Sequence, residues 1–119
     1  MIRNSMIGGY LLLALGSSNS QENHIEVITV HASMQGYLQI VSSELCRESE
    51  TPHVDKMLRG ITLRLEPLEQ EVLLAYAKQQ GRDSAYATFS QKLIENKAWK
   101  VEDFCSWADV QAKKAIRFL

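Results

Sequence analysis

The chain has 119 residues, 45% of them apolar and 23% charged, with a net charge of −1 and a sequence pI near 6.3. That is one domain, just long enough for a real core, with an ordinary globular composition. Bulk charge near zero excludes a strongly basic nucleic-acid binder and demands no polyanionic partner. The balance drifts along the chain: residues 1–60 hold four Lys/Arg against six Asp/Glu, whereas from Lys92 onward there are six against four. A small cationic patch near the C-terminus is compatible with that drift.

Residues 1–20 are unlike the rest. Arg3, an apolar run from Met6 to Leu15 and then small polar residues outline an export signal. The run is too short to span a bilayer, which needs about 20 apolar residues. Three readings stay open: an export signal, a buried strand or helix, and a non-native stretch upstream of a start at Met34. Residues 1–31 are read as a loosely packed or disordered leader and 32–119 as one helical domain. Ile25 to Val30, IEVITV, is β-branched enough for a single strand, or it is absorbed into the next helix.

From Ser33, a suitable N-cap, Tyr37, Leu38, Val41 and Leu45 recur on one helical face. Thr51 as cap with Pro52 at the first position opens a second helix, striped by Val54, Met57, Leu58, Ile61 and Leu65. A third is expected over 67–80: Pro67 starts it, Glu69 and Glu71 complement its dipole, Leu68, Val72, Ala75 and Tyr76 face inward, and Gly81 ends it. Asp83 or Ser84 caps a fourth, with Tyr86, Phe89, Leu93 and Ile94 inward. The fifth, from Val101, has Glu102 and Asp103 at its start and Lys113, Lys114 and Arg117 at its end. Its core face is Phe104, Ala108, Ala112, Ala115, Ile116 and Leu119. The expected fold is all-α, a bundle of about five helices.

Chemistry-bearing motifs are missing: the sequence has no Gly-rich phosphate loop, HExxH or GxSxG. His24, His31 and His53 are scattered, so neither a metal nor any other cofactor is expected. Cys46 and Cys105 read as buried apolar fillers in a reducing, cytoplasmic setting; a disulfide between them would require export. A thiol–imidazole pair with His53 has nothing in the sequence to assemble it. The expectation is a non-catalytic protein.

With Gly81 as a turn glycine, 67–97 has half of a helix-turn-helix pattern; Gln80 and Arg82 stand where apolar residues belong. In that reading Ser84, Thr88, Gln91 and Lys92 reach base edges, and Arg82 and Lys97 reach phosphates. Lys113, Lys114 and Arg117 are the second candidate contact, weighed against a plain solvated face. Trp99 and Trp107 mark a partner surface if exposed.

Residues 58–77, LRGITLRLEPLEQEVLLAYA, with the aromatic-rich stretch 84–99 ending in Trp99, resemble part of the late antitermination (Q-type) proteins of lambdoid phages. There an arginine-bearing helix leads into a leucine-rich one. The first helix of sigma-factor DNA-recognition regions is similar too. The resemblance implies a phage-like regulatory protein contacting DNA and RNA polymerase. The alternative is an interaction module or inhibitor that binds a protein partner through an apolar helical face. Neither reading involves a membrane, and homodimerisation stays open.

Overall fold

The computed structural model describes residues 19–68 and 72–119, and they form an all-α bundle. Four α-helices follow one another among the described residues: α1, Asn19–Ile40; α2, Pro52–Leu65; α3, Val72–Glu95; and α4, Val101–Ala115. A π-helical turn, Val41–Leu45, extends α1, and 3-10 turns at Glu66–Leu68 and Ile116–Phe118 close α2 and α4. α1 packs along α3 and against α2, and α4 lies on α2.

Several expectations are corrected here. IEVITV is not a strand but is absorbed into the helix, the alternative reading, and α1 crosses the expected boundary at 31/32 and places Ser33 in mid-helix. β-branched residues lose only a few tenths of a kcal/mol each in a helix, about 0.5, and tertiary packing readily outweighs that. The leader readings of residues 1–18 lie outside the described residues, as do Glu69 and Glu71. Pro67 sits in the 3-10 turn after α2 rather than opening a long helix.

The expected third and fourth helices are one. α3 passes straight through Gly81, so no turn forms there and the helix-turn-helix reading is lost. The reason lies in the neighbouring helix. A Cβ on Gly81 would sit 1.8 Å from the Ser33 carbonyl oxygen, and one on Gly36 would sit 2.0 Å from that of Lys78. Each helix contributes one glycine to a notch that receives the other's backbone, and the axes approach closely. The buried stripe of α3 is accordingly small: Leu74, Ala77, Gly81 and Ala85. Val72, Ala75, Tyr76 and Ile94, expected inside, are exposed, and so is Tyr86.

Cys46 and Cys105 form a disulfide between the end of the α1 π turn and the second turn of α4. They are not the free fillers expected from the sequence. The Cys46 amide donates to the Val41 carbonyl at 2.8 Å, one residue wider than an α-helical bond. This wider turn ends α1 with Cys46 buried beside Cys105.

Candidate binding cleft

The start of α2 shows how α4 is held. Thr51 occupies the cap position, as expected, yet its side chain makes no capping bond. The free amides of His53 and Val54 donate instead to Asp109 Oδ1 of α4, at 2.8 and 2.9 Å. Asp109 Oδ2 also pairs with His53 Nδ1 at 2.8 Å. One carboxylate from a helix 56 residues away does the work of an N-cap, with the positive end of the α2 dipole behind it. At the other end of α2, Arg64 donates to the Leu119 carbonyl at 2.9 Å. α4 opens with Asp103 accepting the Lys100 amide at 2.7 Å. Its inward ring Phe104 is fully buried, edge-on to Phe89 at 5.0 Å and beside Trp107 at 5.7 Å.

With α4 fixed at both ends, α1 and α4 stand as the two walls of a cleft over α2. Its floor is Val54 and Met57. One wall is Met34, Tyr37 and Leu38 of α1 with Val41 of the π turn; the other is Ala108, Gln111, Ala112 and Ala115 of α4. The volume is about 270 Å³ and the walls carry no charged side chain. Burial raises the Tyr37 hydroxyl above its usual pKa, opposed by a hydrogen bond with Thr88, so the phenol is neutral at physiological pH. Native interiors are close-packed, with few voids larger than a water molecule. Alanines at 108, 112 and 115 leave this space, where leucines would fill it.

Some of the nucleic-acid candidates have partners within the bundle and others are exposed. Counting in steps of three and four, Thr88 and Lys92 continue the inward Leu74–Ala77–Gly81–Ala85 stripe. Thr88 is taken by Tyr37, and Lys92 lies 4.8 Å over the Trp107 ring and 3.6 Å from Glu95. Gln91 donates to Glu95 at 2.9 Å, and Arg82 to Gln39 at 3.4 Å. Ser84, Lys97, Lys113, Lys114 and Arg117 are exposed. Trp99 and Trp107 are half-buried against the core.

No thiol remains for nucleophilic chemistry, and no group of three metal-ligating side chains occurs among the described residues. No described helix is long and apolar enough to cross a membrane. The cleft itself was half legible. Val54, Met57, Ala108, Ala112 and Ala115 all stand in the expected apolar stripes. The sequence does not distinguish a stripe that meets another helix from one that lines a gap; the run of alanines was the only hint. No family model, curated protein or solved structure matches the chain.

Proposed function

We propose that the protein acts by association rather than catalysis, as a binding domain that takes an apolar group into the cleft between α1, α2 and α4. The observation that carries this is the uncharged cleft of about 270 Å³ lined almost wholly by apolar side chains. Met34 and Met57 are flexible, polarisable side chains suited to adapting around such a group. The test is titration of the folded protein with an anilinonaphthalene sulfonate dye. One saturable site is expected, lost in Ala112→Leu, while the near-ultraviolet circular dichroism of that variant stays native. Absence of dye binding to the native chain would overturn the reading.

Association with DNA or the transcription machinery is the second reading, and it draws on the exposed cations Lys97, Lys113, Lys114 and Arg117. Binding to duplex DNA that weakens steeply with salt would favour it. No complex at low salt removes it.

The Cys46–Cys105 bridge and the export-signal outline of residues 1–20 together support an oxidising compartment over the cytoplasmic placement expected at first. Intact mass of the chain from its native cells, alkylated without reductant, decides between them. Two alkylated cysteines on an uncleaved chain would favour the cytoplasm.

A further inference from the structure

We infer that the cleft takes the aliphatic tail of an anionic amphiphile, with the charged head held at the Lys114 side of α4. This rests on the cleft being the binding site proposed above.

Shape sets the tail. Ala108 to Ala115 and Met34 to Val41 are each seven helical steps, so the two walls run about 10 Å. Dividing 270 Å³ by that length leaves a cross-section of about 27 Å², wide enough for one extended chain. A cavity of about 150 Å³ holds benzene, so this one holds roughly ten carbons. The walls present no charge, so a charged head stays outside.

Charge sets the head. Gln111 is the polar residue of the α4 wall and is exposed, and Lys114 stands one turn further on the same side. Lys113, Lys114 and Arg117 are all exposed, and none is in an ion pair among the described residues. The acids nearest the cleft floor are already engaged: Asp55 accepts from Ser42 at 2.9 Å, and Asp109 caps α2. The exposed charges in the last turn of α4 and the 3-10 turn after it, Lys113, Lys114 and Arg117, are positive, and they complement an anion.

The experiment titrates the full chain in low-salt buffer, below micelle concentrations, with decanoate, decanol and decyltrimethylammonium in turn. Calorimetry gives the affinity, and the methyl resonances of Met34 and Met57 give the location without any variant. Decanoate should bind at one site, shift both methyls, and bind more tightly than the other two probes. Lys114→Glu, a surface change, should weaken decanoate about tenfold and leave decanol unchanged. Decanol binding as tightly as decanoate, or an unchanged decanoate affinity in Lys114→Glu, overturns the anionic head while the cleft reading survives. Methyls that move with none of the three probes, in a chain that still binds the naphthalene dye, overturn the aliphatic tail alone. Methyls unmoved by the dye as well remove the cleft.

Discussion

Replacing Gly81 with alanine separates two opposing effects that are usually confounded. In an exposed helix the change stabilises by about 1 kcal/mol, because alanine loses less conformational freedom. Here the new methyl would lie 1.8 Å from the Ser33 oxygen and 2.7 Å from its carbon, both backbone atoms that cannot rotate away. Restoring an ordinary 3.4 Å contact moves α1 and α3 apart by about 1.6 Å. Gaps of 0.5–1 Å already forfeit about a quarter to a half of each dispersion contact, so the seam of Ala32, Leu74, Ala77 and Ala85 opens. Overpacking of this kind costs about 1–3 kcal/mol, and more where backbone has to shift. A net loss of about 2–4 kcal/mol is expected for Gly81→Ala, with Gly36→Ala alike. Gly60 supplies the control. Its Cβ would meet only the ends of the Leu119 and Arg64 side chains, at 3.4 and 3.5 Å. Gly60→Ala should therefore gain about 0.5–1 kcal/mol. Equilibrium urea unfolding of the three variants reads the comparison directly. If Gly81→Ala proves as stable as Gly60→Ala, the close backbone approach is refuted.

Asp109→Ala strips two amides and an imidazole of their acceptor and should cost about 2–3 kcal/mol, whereas Asp109→Asn keeps one acceptor oxygen and should lose about 1; urea midpoints that coincide for the two variants would refute the capping role. The Cys46–Cys105 bridge closes a loop of 59 residues, for which chain entropy gives about 4 kcal/mol, so Cys46→Ala/Cys105→Ala should lower stability by roughly that amount. An unfolding midpoint unmoved by the double replacement or by reductant would contradict it. Burial, and then the Arg64 charge, lower the pKa of His31 below 6.5, so the unfolded chain takes up a proton that the folded one refuses. That contribution is complete above about pH 6.5 and is lost as pH falls toward the depressed folded value, and His31→Gln should flatten the acid limb of the stability curve. Tyr37 has the opposite sign. Its raised pKa makes stability fall as pH climbs past 10, and Tyr37→Phe should remove that loss in alkaline urea titrations.

What the sequence made legible was whatever local chemistry decides. Pro52 and the acid pair Glu102 and Asp103 mark helix starts that the fold keeps, and the stripe Val54, Met57, Ile61 and Leu65 is buried as its spacing demands. What it concealed depends on a second element. Gly81 carries the same signal whether it ends a helix or admits a neighbour's carbonyl, and only Ser33 distinguishes the two. Large residues misled in α3, where Tyr76 and Val72 are 63% and 83% exposed while the small residues make the seam. The cysteine pairing, 59 residues apart, left no local trace.

Asp109 has a consequence for the order of assembly. The first amides of α2 have no acceptor in their own segment, so this helix cannot finish its N-terminus until residues from the far end of the chain arrive. Chain emerging in order would hold α1, α2 and α3 with that end frayed, and α4 would close onto α2 and the turn after α1 through Asp109, Cys105 and the Leu119 carbonyl. The His53 and Val54 amides thus act as reporters: their hydrogen-exchange protection should rise and fall with docking of α4, not with the helicity of α2.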